Sequence, residues 1–191
     1  MTIVPTVATP VSPAILYGAL RVAWVQLLGT DPTRQSLLLL IGHAAFETGW
    51  MHECWCWNLG NVKHVAGDGH DYYQIRCNEF ENGKWVWYDP PSPKSSFRSF
   101  SSLVEGVAAH LKVLHGQFGY AWPYVETGDA GAFCHALRER HYYTDPEADY
   151  TRGVVACIAS ADHVIPPDPD PAPLAIAAEG DAIAGFVPDE T

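Results

Sequence analysis

From Pro13 the run PAILYGALRVAWVQLLG places apolar residues at helical spacing, with Ser12 as a cap, Pro13 at the first position and Gly29 closing it. A second helix follows at once. Asp31 and Pro32 supply its start, SLLLLIGHAAF its length and Gly49 its end. It is apolar nearly all round, which predicts the centre of a domain. Between residues 51 and 71 the periodicity fails, and Gly60, Gly67 and Gly69 mark a long loop. DYYQIRCNEF and KWVWY then carry residues that suit a pleated surface and flank ENG, where Asn82-Gly83 predicts a tight turn. DPPSPKSS interrupts regular structure. Ser102 with Glu105 forms a capping-box pattern ahead of LVEGVAAHLKVL, predicting a third long helix to about Leu114. Asp129 opens a shorter one, AGAFCHALRER. Thr144 and Glu147, with Pro146 between them, open EADYTRGVVACIASADHV, which stops before Pro166 and Pro167.

The expected architecture is mainly α, of the α+β kind. A helical domain over residues 13–165 has one small β-hairpin inserted after its central helix. A flexible or strand-like arm, residues 1–12, precedes it, and a Pro-rich acidic tail or linker, residues 166–191, follows.

Composition narrows the function. With 191 residues, 48% of them hydrophobic and 12% aromatic, the chain can bury a sizeable core. A formal charge of −11 argues against a phosphate-backbone partner, which calls for a basic surface. The start, MTIVPTVATPVSPA, has neither a basic leader nor a continuous apolar segment, so a chain made without a secretion signal of its own is expected. No stretch reaches the roughly 18 apolar residues of a membrane span. Five cysteines are an odd number, which rules out a framework of intrachain disulfides alone. Cys134 and Cys157 fall among apolar helix positions and read as small hydrophobes.

Chemistry concentrates in HAAFETGWMHECWCWNLGNVK, residues 43–63. Glu47 falls in the last turn of the central helix, where unpaired carbonyls disfavour another negative charge. Phe46, Trp50, Trp55 and Trp57 would desolvate the same carboxyl. Both effects raise its pKa, and a carboxyl that keeps its proton near neutral pH can protonate the leaving oxygen of a glycosidic bond. His43, at i−4, shares the helix face, and a satisfied, partly buried histidine is its commoner role. Cys54, Cys56, His64, His70 and Cys77 supply zinc-type ligands, but Cys-x-Cys spacing fits a zinc site poorly. A disulfide from Cys77 to Cys54 or Cys56 is the other reading of these thiols.

AAFETGW followed by NLGNVK resembles the ALESGWG and NLFGIK signature of the glucosaminidase domains of bacterial autolysins and flagellum-associated wall hydrolases, glycoside hydrolase family 73. In the same order, NEFENG resembles that family's TEYENG, SSFRSFSSLVEGVAAHL its KFRVYSSYLEALSDYV, and RHYYTDPEADYTRGV its GYATDPHYARKL. The pieces cover about residues 36–160. The resemblance implies a lysozyme-like fold and cleavage of the β-1,4 bond from N-acetylglucosamine to N-acetylmuramic acid in peptidoglycan, with no cofactor and no metal. It puts Glu47 in the general-acid role, Glu79 in that of the second carboxylate, and Tyr142 at the cleft wall. Glu81 is a close decoy for Glu79, because strand alternation puts both on one face. Tyr143 stands where the family often has Ala and is expected to narrow the cleft.

For substrate contact the expected residues are Trp57, Asn58, Trp122 and Tyr143. For Asn58, loop pinning stands as an equal alternative. Arg98 is expected as a structural ion-pair partner. The partner is then a peptidoglycan glycan strand at the bacterial cell wall, reached from a phage tail or injection device docked through the acidic tail, or after release at lysis. The competing function is a non-catalytic wall-binding or structural component with the same fold. Zinc-dependent hydrolysis lacks a His-Glu-x-x-His pattern.

Overall fold

The computed structural model describes residues 1–81, 84–143 and 145–167, with the backbone alone described for residues 79–81. The Asn82-Gly83 turn, the Thr144 cap and the tail beyond Pro167 lie outside the described residues, as do the side chains of Glu79 and Glu81.

The first two helices form where their signals put them. α1 spans Pro13–Leu28; Ser12 accepts a hydrogen bond from the Ile15 amide, and Gly29 closes the helix at φ 71°. α2 spans Arg34–Glu47, with Thr33 rather than Asp31 as its cap. From Leu37 to Ala45 every α2 residue is buried, so it is the hub that the apolar run predicts. α3 (Leu103–Gly116) is capped by Ser102. The reciprocal half of the capping box goes elsewhere: Glu105 Oε2 accepts from the amide and hydroxyl of Ser101, at 2.8 and 2.6 Å. α4 (Trp122–Thr127) is a short helix that the reading of the sequence missed. α5 (Ala130–Glu139) starts from its Asp129 cap, and α6 (Glu147–Val164) follows Pro146.

α2 and α6 lie against each other closely enough that a Cβ at Gly42 would overlap Ile158, and one at Gly153 would overlap the Phe46 ring. The two glycines let the helices interlock, which brings the C-terminal end of α2 next to the first turns of α6. Arg34 secures the other end of the seam, donating to Asp162 Oδ1 (2.8 Å) and to the carbonyls of Ile165 (3.0 Å) and Pro166 (2.8 Å).

The β region differs from a single hairpin. DYYQIRCNEF breaks at Ile75–Arg76 into β1 (Tyr72–Gln74) and β2 (Cys77–Glu81). β2 pairs antiparallel with β3 (Lys84–Tyr88), while β1 pairs with β4 (Ser96–Arg98), formed just after DPPSPKS. The break serves two burials. Tyr73 of β1 sits in a small core with Cys56 and Phe97, whereas β3 stays largely exposed. The N-terminal arm is strand-like: Val4 donates to Tyr72 O, Tyr72 to Thr2 O, Thr9 to Cys54 O and Cys56 to Val7 O. The arm thereby straps the loop after α2.

No disulfide joins Cys77 to Cys54 or Cys56, so neither disulfide reading is realised. The thiols of Cys54 and Cys56 bond the arm instead, at Thr9 Oγ1 (3.6 Å) and at the Val7 amide (3.4 Å). Among the described residues no helix is long and apolar enough to cross a membrane.

Candidate active site

The loop after α2 turns back beside the helix through left-handed backbone at Trp50, Met51, Cys56, Trp57 and Asn61. Non-glycine residues hold that conformation only where their surroundings over-determine it. Here Thr48 does part of this work, donating to Ala44 O (2.6 Å) and accepting from the Met51 amide (2.9 Å). Asn58 does more. Its Nδ2 donates to the carbonyls of Val62 (3.0 Å) and Arg98 (2.9 Å), and its Oδ1 accepts from the Val62 amide (2.8 Å). Loop pinning is therefore what this buried amide does.

Loop, α2 and the β region enclose a cleft of about 510 Å³ whose walls include His43, Glu47, Glu53, Trp55, Lys63, Arg76, Asn78, His110 and Tyr142. Glu47, the last residue of α2, opens into it with 32% of its side chain exposed. Behind the carboxylate stands a buried chain of groups. Tyr150, on the first turn of α6, donates its hydroxyl proton to Glu47 Oε1. His43 Nε2 lies 3.1 Å from the same hydroxyl and 3.8 Å from Glu47 Oε1. Since the Tyr150 proton is committed to the carboxylate, His43 must donate from Nε2, which leaves its buried Nδ1 as a lone pair with no partner among the described residues.

Burial raises the pKa of Glu47, the Tyr150 hydrogen bond offsets part of that rise, and the charge of Asp145 adds to it. The negative pole of α2 acts in the upward direction as well. His43 is fully enclosed, and burial brings it down to about 4, so it is neutral at physiological pH. Tyr142, which lines the cleft over His43 at a ring separation of 5.4 Å, is pushed far upward by burial and by Glu47.

The other expected sugar contacts lie elsewhere. Trp122 is buried against Trp24, with centroids 5.0 Å apart, and donates to Glu126 Oε1; it opens the unforeseen α4, and its indole fills the α1–α4 interface. Tyr143 does not narrow the cleft. It stacks on Tyr150 from behind, 3.6 Å between centroids and 2° from parallel, and donates to Cys134 O. Trp57 packs against the main core, its amide donating to Thr9 Oγ1. Trp55 is the cleft indole instead. Arg98 pairs with Asp68 at 2.9 Å.

Glu79 is placed by its backbone, opposite Val86 in the β2–β3 ladder. Cys77 and Asn78, which precede it on β2, both line the cleft. Among the described residues no group of three or more His, Cys, Asp or Glu side chains is arranged to hold a metal ion.

Tyr150 and Glu53 were missed. A signal for Tyr150 was available: on α6 the buried positions Tyr150, Val154 and Ala161 form one stripe, and Tyr150 supplies its one hydroxyl. A lone polar group on a buried face needs a partner. Glu53 carries no such signal, because the loop's left-handed turns decide where it points.

The sequence model of the glucosaminidase family, described as mannosyl-glycoprotein endo-beta-N-acetylglucosaminidase, matches residues 34–163. Among solved structures, the chain is similar to a C-terminally truncated glycoside hydrolase domain of Salmonella typhimurium FlgJ. Identity is 24% and the TM-score 0.52, over 78% of this chain and 93% of that one. A peptidoglycan hydrolase mutant from Sphingomonas sp. A1 is similar at 23% identity and a TM-score of 0.57, over 78% and 92% of the two chains. No curated protein matches the sequence. With the family model spanning α2 to α6 and the cleft built between them, the chain belongs to the glucosaminidase family of glycoside hydrolases and has its mainly α, lysozyme-like fold.

Proposed function

We propose that the chain hydrolyses the β-1,4 bond from N-acetylglucosamine to N-acetylmuramic acid in peptidoglycan, acting at the bacterial cell wall. The observation that carries this reading is Glu47, a carboxyl with a raised pKa that faces a cleft and is held from behind by Tyr150. The family and the Sphingomonas sp. A1 neighbour, a peptidoglycan hydrolase mutant, support the substrate class.

In this mechanism Glu47 arrives protonated and gives its proton to the leaving glycosidic oxygen as the bond lengthens. Tyr150 keeps the carboxyl in one orientation and stabilises the carboxylate that remains. Glu79, carried beside the cleft by β2, is the second carboxylate, activating water or stabilising the oxocarbenium-like transition state. Tyr142 orients the sugar or polarises its acetamido group. If Glu79 activates water, the anomeric centre inverts; attack by the acetamido oxygen or by a carboxylate retains it.

The test is digestion of purified peptidoglycan by wild type, Glu47→Gln, Glu79→Gln and Glu53→Gln, with new reducing ends identified by mass spectrometry. Reducing N-acetylglucosamine ends, lost in Glu47→Gln and Glu79→Gln and retained in Glu53→Gln, support the reading. Reducing N-acetylmuramic acid ends would make the enzyme a muramidase. Loss in Glu53→Gln with retention in Glu79→Gln would move the second carboxylate to the loop. No new ends from wild type would leave a wall-binding component.

A further inference from the structure

Two tryptophans on β3 stand out from the rest of the chain. Trp85 and Trp87 are 59% and 58% exposed, although indoles are ordinarily among the most buried groups of a protein. Two residues apart on a strand, they share one face, about 7 Å from each other at the usual rise per residue. In the β2–β3 register Trp87 lies opposite Asn78, and directly opposed residues project to the same side of a sheet. Asn78 lines the cleft that holds Glu47. Arg76 makes the same connection from below, since it lines the cleft and its guanidinium sits 4.8 Å from the centre of the Trp87 ring. The indole face is thus continuous with the cleft through two residues that belong to both.

We infer that the Trp85–Trp87 face of the β2–β3 hairpin, joined to the cleft through Arg76 and Asn78, is a second binding surface for the glycan strand, along which sugars beyond the cleaved bond stack. The chemistry fits one class of occupant. Sugar rings offer apolar C–H faces to an indole and hydroxyls to an amide such as Asn78 and to the guanidinium of Arg76, whose charge is itself paired with Asp89 at 3.0 Å. This inference rests on the reading of the cleft as a glycan hydrolase site and concerns where the strand goes on leaving it.

The test separates binding from turnover by using the full chain with Glu47→Gln. Sedimentation with insoluble peptidoglycan sacculi measures binding by this protein and by the same protein carrying Trp85→Ala and Trp87→Ala, or Trp85→Phe and Trp87→Phe. The alanine pair is expected to lose about tenfold in apparent affinity, about 1.4 kcal/mol for the two indoles together. The phenylalanine pair retains most of the binding, which also shows that the hairpin is intact. Equal binding by the alanine pair overturns the inference, as does failure of Glu47→Gln itself to sediment. A dimer that the alanine pair dissolves, with sacculus binding unchanged, overturns it in favour of a second copy of the chain. Digestion of sacculi by wild type is independent of all three, so the cleft reading can stand while this one falls.

Discussion

Tyr150 and Glu47 meet across the α2–α6 seam from positions 103 residues apart, the phenol donating to the carboxylate that the helix end presents. The bond opposes the effect of burial, lowering a pKa that desolvation raises. Its strength therefore sets the upper edge of the pH range in which Glu47 still carries a proton.

Removal of that hydroxyl has a defined sign. Tyr150→Phe takes away stabilisation of the charged form, so the folded pKa of Glu47 rises further and the alkaline limb of the kcat/KM profile moves to higher pH. Because the carboxyl also loses its orientation, kcat at the optimum falls by roughly 10- to 100-fold, the scale of one charge-assisted hydrogen bond. A pH-rate profile of the variant checks both effects, and an unmoved or lowered limb would contradict the assigned donor.

Stability at acid pH should be governed by the stacked pair His43 and His110, whose rings lie 6.2 Å apart. Burial brings them to about 4 and about 3, and for His110 a charge on His43 pushes the same way. Both folded values lie below the unfolded value near 6.5, so the unfolded chain binds more protons as pH falls. Each histidine's stabilisation is complete above pH 6.5. It is lost on acidification at about 1.4 kcal/mol per pH unit, down to each folded value. Chemical denaturation between pH 7 and pH 4 measures the slope. His110→Leu, which removes a buried nitrogen that has no partner among the described residues, is expected to flatten it.

Gly42→Ala tests the interlock that sets the site. A methyl there would overlap Ile158, and overpacking a core of this kind costs about 1–3 kcal/mol, against about 1 kcal/mol of helix propensity gained. A lower melting temperature and a reduced kcat are expected together, since the substitution pushes α6, and with it Tyr150, away from Glu47. A variant of full stability and full activity would show that the seam has room to spare.

Asn58→Ala discriminates loop pinning from substrate contact. Three backbone partners, those on Val62 buried and that on Arg98 partly so, lose their hydrogen bonds, which predicts a loss of about 2–3 kcal/mol in denaturant unfolding. KM of the folded fraction is expected to stay at the wild-type value. A raised KM with unchanged stability would return Asn58 to the sugar.

Except for α4 and the exact start of α2, the helices, the central place of α2 and the position of Glu47 at its end are legible along the chain, because capping, proline and glycine signals and 3.6-residue periodicity act within one or two turns. The likeness of its ordered pieces to the glucosaminidases reaches further, to the family itself. What lines the cleft is a different kind of fact. The loop from Trp50 to Asn61 runs through left-handed backbone at non-glycine residues, and that is stable only because Asn58, Thr48 and the arm at Thr9 hold it. No local rule indicates that Trp55 faces the groove while Trp57 faces the core. Tyr150 approaches Glu47 because two glycines, one on each helix, allow α2 and α6 to interlock. Aromatic residue types say that a side chain will be buried or will stack; which partner it takes is decided by close packing between segments distant in the chain, and only the tertiary structure contains that.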